Sequence, residues 1–132
     1  MKYIDQNNYA DEAEKVIKKL SGKTNARTGK PEPMVTTSKL RNLLAMSNDI
    51  YYEILMKKEE RLEEELIGRI EYLRIRFVYE AGREAKVREL VEEAHILDIL
   101  KEIKGIRENY LLFSKYMESL VAFHRFYGGK DN

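Results

Sequence analysis

Residues 62–82 read LEEELIGRIEYLRIRFVYEAG, and this stretch determines the predicted fold. Its apolar residues recur three or four positions apart, which is the spacing of one face of an α-helix. The recurring positions are Leu62, Leu66, Ile70, Leu73, Phe77 and Ala81. The stretch therefore predicts a long amphipathic helix that Gly82 ends as a C-terminal cap, and whose apolar face packs on other helices.

The same spacing predicts helices along most of the chain, and no strand pattern of more than a few residues occurs. Thr37 is a suitable N-cap for the helix before the quoted stretch. The sequence leaves open whether these two helices are separated by a turn or form one rod. We predict an all-α fold, a compact bundle of about five helices in a single domain. The predicted helices cover residues 9–20, 38–58, 62–82, 87–105 and 106–127 of the domain 1–132.

The composition excludes several classes of protein. The chain has 132 residues, 24 Lys and Arg against 23 Asp and Glu, and no cysteine. Disulfides, thiol catalysis and cysteine-based zinc sites are therefore excluded. His95 and His124 are far apart, and no glycine-rich phosphate loop occurs, so we expect no enzyme, no cofactor and no metal. No apolar stretch reaches the length of a membrane span, and we expect a soluble, cytoplasmic protein.

The near-zero net charge hides a separation of charge along the chain. Residues 18–41 contain seven bases and one acid, whereas residues 89–102 contain five acids and one base. Within the basic part, residues 21–35 (SGKTNARTGKPEPMV) lack periodicity and contain both prolines, which predicts a flexible basic loop before a helical core at 36–129. Separated charge of this kind is typical of a protein with one basic face for a polyanion.

The helix at 62–82 has a second set of residues beside its apolar face. The members alternate three and four positions apart and extend one residue past the helix: Arg69, Tyr72, Arg76, Tyr79 and Arg83. Guanidinium groups pair with phosphates and tyrosines stack on bases, so the set predicts an RNA-binding face, with Arg74 nearby. The alternative is that the arginines are paired internally, Arg69 with Glu65 and Arg76 with Glu80.

The stretch TTSKLRNLL at 36–44 begins a helix with two bases, Lys39 and Arg41, although acids are favoured at a helix start. Neither base has an acid within four residues. A phosphate there would meet free backbone N–H groups and the hydroxyls of Thr37 and Ser38. The alternative is a pair of solvated bases.

The last predicted helix is apolar over most of its circumference. Such a helix is either central to the bundle or partly buried by another subunit. His124 lies on its main apolar line, and we expect a packed or hydrogen-bonded histidine rather than a catalytic base.

Three blocks, TTSKLRNLL, YLRIRFVYEAGRE and FSKYMESLVAFHRFYGG, together resemble one family, the small subunit of type III-A CRISPR effector (Csm) complexes. The blocks occur in the family's order and cover most of residues 36–129. The family typically has a tyrosine and a lysine on either side of the histidine of the last block, where this chain has Phe123 and Arg125. Both changes keep the aromatic and cationic character.

The resemblance implies a non-catalytic helical bundle that stacks in several copies inside an RNA-guided complex. It implies contact with CRISPR guide RNA and target RNA, and with the backbone and large subunits, which carry the nuclease activities. The residues that would contact RNA by this resemblance are Lys39, Arg41, Arg74, Arg76, Arg83, Lys115 and Arg125.

Two alternatives remain at this stage. A helical adaptor would join protein partners without contacting RNA. A helix-turn-helix DNA regulator would need a short recognition helix after a tight turn, and the predicted helices are longer than that.

Overall fold

The computed structural model describes residues 1–131; Asn132, the last residue of the predicted domain, lies outside them. The prediction of an all-α fold is confirmed. Six helices follow one another, and the described residues contain isolated β-bridges but no strand. The helices are α1 (Tyr9–Ser21), α2 (Thr37–Leu55), α3 (Glu64–Arg83), α4 (Ala85–Glu93), α5 (Ile96–Glu102) and α6 (Arg107–Phe126). The prediction that Gly82 caps α3 is wrong, because the helix continues to Arg83 and its C-cap is Glu84.

Helix α6 lies at the centre of the bundle, in contact with α1, α2 and α5. Tyr110, Phe113 and Met117 are fully buried, and Phe113 meets Phe77 of α3 edge to face at a centroid distance of 6.4 Å. Tyr116, outside the predicted apolar line, is buried as well, and its hydroxyl donates to the carbonyl oxygen of Ala94. The central position of this apolar helix is one of the two that its sequence indicates.

One predicted helix is in fact two, because the chain turns at His95. His95 has a left-handed backbone conformation with φ of 56°, which ends α4 before α5 begins. The ring of Tyr3 stacks on the imidazole at a centroid distance of 4.1 Å. No glycine or proline marks the break in the sequence, so the prediction of five helices misses it.

Residues 56–63 separate α2 from α3, so the two helices do not form one rod. Two backbone hydrogen bonds join this connection to the start of α6. The N–H of Leu62 donates to the carbonyl oxygen of Gly105, and the N–H of Arg107 donates to the carbonyl oxygen of Glu60. Gly105 has φ of 71°, and a Cβ there would lie 2.8 Å from Cδ1 of Ile67. The position therefore requires glycine.

The basic segment at 21–35 forms a turn between α1 and α2. The N–H of Asn25 donates to the carbonyl oxygen of Lys30, and the N–H of Glu32 donates to that of Lys23. Val35, at the end of the segment, is buried. The flexibility expected of this loop stays a prediction.

His124 is fully buried, and its Nε2 donates to the carbonyl oxygen of Val35 at 2.6 Å. The expectation of a packed, hydrogen-bonded histidine is confirmed. Gly129 packs directly on the imidazole, because a Cβ there would lie 2.0 Å from Cε1 of His124.

Gly129→Ala is expected to lower the free energy of unfolding by about 1–3 kcal/mol, because the added methyl group overlaps the buried imidazole of His124. Gly68→Ala is the matched control. Gly68 lies inside α3 with open space around it, so alanine there is expected to stabilise the protein by about 0.5–1 kcal/mol. Urea denaturation measures both changes, and equal stability of Gly129→Ala and the unchanged protein would contradict this packing.

Tyr110→Phe is expected to reduce the loss of stability at alkaline pH. Burial raises the pKa of Tyr110 above its ordinary value of 10.0, so the folded protein keeps a proton that the unfolded chain loses near pH 10. The free energy of unfolding therefore falls as pH rises above about 10. Urea denaturation from pH 8 to 11 should show a shallower decline in the variant, and parallel curves would be the opposite result.

Candidate nucleic-acid interface

The outward face of α3 exposes large apolar side chains. Tyr72, Ile75 and Tyr79 are each 59% exposed, on the side opposite the buried Leu73 and Phe77. Exposed apolar residues that adjoin one another are typical of interaction surfaces. The core does not require these side chains, because α3 already buries a full apolar line on its inner side.

Three arginines repeat along the same side of this helix. Arg69, Arg76 and Arg83 lie seven residues apart, a distance of about 10.5 Å along the axis and nearly two turns around it. They therefore form one row beside Tyr72 and Tyr79. The guanidinium of Arg83 lies 5.8 Å from the ring centroid of Tyr79. We call these five residues the α3 face.

Two of the three arginines in the row are paired internally, as the alternative interpretation predicts, but the specific pairs it names do not form. Arg69 pairs with Glu53 of α2 rather than with Glu65, and Glu80 pairs with Arg83 at 3.1 Å rather than with Arg76. Arg76 is exposed and makes no ion pair within residues 1–131. Exposed ion pairs contribute only about 0–1 kcal/mol to the stability of a protein. A phosphate group can therefore replace Glu53 and Glu80 as the partners of these arginines.

A groove of about 180 Å³ runs between α2 and α3 beside the α3 face. Arg69, Tyr72 and Arg76 line one wall, and Met46, Asp49 and Ile50 of α2 are among the residues that complete it. Two guanidinium groups and one aromatic ring therefore border the same concave surface. This combination can pair with a phosphate while it covers a sugar or a base.

Lys39 and Arg41 do not act on one surface. Residues two positions apart in a helix lie about 200° apart around its axis, so Lys39 and Arg41 point to different sides of α2. Lys39 pairs with Glu84, 45 residues further along the chain, whereas Arg41 is exposed without an ion pair in residues 1–131. Lys39 thus has an acidic partner in the folded protein, although no residue close to it in the sequence is acidic.

The start of α2 is covered by residues 127–131. The N–H of Thr37 donates to the carbonyl oxygen of Lys130 at 2.8 Å, and the hydroxyl of Ser38 donates to that of Asp131 at 2.9 Å. The N-cap is Thr36, whose hydroxyl accepts from the N–H of residue 39, so the prediction of Thr37 is wrong by one residue. The expectation that these donors are free for a phosphate is also wrong.

The other predicted RNA contacts lie apart from the α3 face. Arg74 pairs with Glu71 at 3.0 Å and is two residues from Arg76, so it points to another side of α3. Lys115 is exposed on α6, and Arg125 at the end of that helix pairs with Asp131 at 3.0 Å. The structure brings together only part of the predicted set, the arginines at 69, 76 and 83.

Two further lysines lie near Lys39, and neither is among the residues predicted from the sequence. Lys86 in the first turn of α4 and Lys130 after α6 line the same pocket as Lys39. The sequence contains a signal for Lys86, because α4 begins AKVRE and so has a base but no acid in its first turn. Lys130 is brought close by the fold alone.

Residues 1–131 contain neither a metal-binding cluster nor a membrane-spanning helix. These residues contain no group of three or more His, Asp or Glu side chains that could hold a metal ion. None of their helices is both long enough and apolar enough to cross a bilayer.

Residues 6–130 match the model of the family described as Csm2 Type III-A. A CRISPR system Csm2 protein of Streptococcus thermophilus is 44% identical over 131 residues, which cover 99% of this chain and 100% of that protein. A Csm2 protein of Mycobacterium tuberculosis is 35% identical over 97% of this chain and 98% of its own length. One of Enterococcus italicus is 37% identical over 70% of this chain and 68% of its own length. With this agreement over nearly its full length, the chain belongs to the type III-A Csm2 family.

Proposed function

We propose that the chain is a non-catalytic small subunit of a type III-A CRISPR RNA-guided complex, and that the α3 face binds the backbone of the guide RNA–target RNA duplex. The observation that carries the proposal is the row of Arg69, Arg76 and Arg83 beside two exposed tyrosines. Guanidinium groups recognise phosphates in any sequence, and base pairing between guide and target reads the sequence.

The charge of the chain fits a subunit that acts in several copies. Its net charge is only +1, so one copy binds RNA weakly and a row of copies along one duplex supplies the affinity. Arg41 and Lys115 are exposed cations that extend the contact with RNA beyond the α3 face. Lys39, Arg74 and Arg125 lie outside the row of three arginines and each has an acidic partner, so they contribute less.

A separate surface is suited to contact with the other subunits of the complex. Tyr52, Leu55 and Met56, where α2 ends, are 64%, 44% and 82% exposed. They form an apolar corner at the end of α2. This corner also favours the second candidate function, an adaptor that joins protein partners without RNA, and the test below separates the two.

Arg76→Ala combined with Arg83→Ala is expected to weaken binding to a guide–target duplex and to lower the salt dependence of that binding. Each lost phosphate contact reduces the slope of log K against log salt by about 0.7–0.9. Fluorescence anisotropy at several salt concentrations measures both quantities.

The matched control is Lys101→Ala with Lys104→Ala, which removes the same charge from two exposed residues outside the α3 face. The control should leave the salt slope unchanged. Equal slopes for both double variants would remove the α3 face from the RNA site, and an absence of duplex binding at low salt by the unchanged protein would favour the adaptor.

A further inference from the structure

Four segments of the chain converge on a pocket of about 540 Å³. They are the end of α1 at Ser21, the stretch 31–39 that leads into α2, the first turn of α4 and the segment 127–130 after α6. A pocket of this size is in the range of small-molecule sites and much larger than a phosphate ion needs. It lies apart from the α3 face, with which it shares no residue.

The pocket has an apolar wall and several cationic groups. The wall contains Pro33, Met34, Val35 and the ring of Tyr127. The cations are the ammonium groups of three lysines, and one acid, Glu32, lines the pocket with them. The three lysines are Lys39, Lys86 and Lys130.

Two of the lysines, Lys39 and Lys86, pair with half-buried acids. Lys86 lies 3.2 Å from Glu32 and 3.3 Å from Glu89, and Lys39 pairs with Glu84. Burial alone would lower the pKa of Lys86, but its hydrogen bonds to the two glutamates raise it, so the ammonium group stays charged. Side chains of these acids are 31–32% exposed and can turn to solvent when an anion enters.

We propose that this pocket binds a nucleoside 5′-phosphate. The phosphate lies among the ammonium groups of Lys39, Lys86 and Lys130, and the base lies against Tyr127 and the neighbouring apolar wall. An aromatic ring beside cations suits a ligand with both a flat apolar part and a charged part. The ligand is either a free nucleotide or the 5′-phosphorylated end of an RNA strand, and the proposal does not depend on RNA binding by the α3 face.

Isothermal titration calorimetry of the full chain with AMP, adenosine and inorganic phosphate tests the proposal. AMP should bind more tightly than either fragment, and Lys86→Gln should weaken AMP binding at least fivefold. Lys101→Gln, which removes an exposed lysine outside the pocket, should bind AMP as the unchanged protein does. Arg76→Ala should also leave AMP binding unchanged, which keeps this test separate from that of the proposed function.

The second arm uses an eight-nucleotide RNA with and without a 5′-phosphate. An affinity that depends on the 5′-phosphate and on Lys86 identifies the RNA end as the ligand, whereas AMP binding without such a dependence identifies a free nucleotide. NMR shifts of the Met34 methyl group in the unchanged protein on adding AMP give a readout that needs no variant. Absence of saturable binding by both AMP and the phosphorylated RNA would overturn the proposal, as would AMP binding that leaves the Met34 signal unmoved.

Discussion

Burial of α6 on nearly all sides is the constraint on which the rest of the structure depends. Its residues Tyr110, Phe113 and Met117 are fully buried because α1, α2 and α5 pack around the helix. Helix α3 adds Phe77 to this core with its inner side only. Because α6 fills the centre, α3 lies at the periphery and its outer side remains available. The position of α6 therefore leaves room for the α3 face.

The residues on the outer side of α3 are not those that folding alone would favour. Gly68 and Gly82 have open space around them, and Gly68, inside α3, weakens the helix relative to alanine by about 0.5–1 kcal/mol. Tyr72, Ile75 and Tyr79 remain largely in contact with water. This side of α3 combines apolar side chains, cationic side chains and glycines. Such a surface is better suited to close contact with a partner than to contact with water. The weak ion pairs of Arg69 and Arg83 are compatible with exchange for phosphate.

Local patterns predicted the helices and the row of arginines because both follow from spacing within a single helix. The break at His95 has no such signal, since the left-handed conformation is held by the surrounding fold, including the stacked ring of Tyr3. Likewise, Lys39 was predicted to lack an acidic partner because Glu84 is 45 residues away. The hydrogen bond that joins Ser38 at the start of α2 to Asp131 links residues 93 positions apart, so no local sequence pattern could predict it.

Mapping of the RNA-contacting peptides in an assembled complex tests the central claim most directly. The tagged chain would be purified with its partners from cells that contain a type III-A system, irradiated with ultraviolet light and digested, and RNA-linked peptides would be identified by mass spectrometry. The account predicts links on the peptides that contain Tyr72 and Tyr79, and none on those that contain Tyr9. Links confined to peptides outside α3 would contradict it.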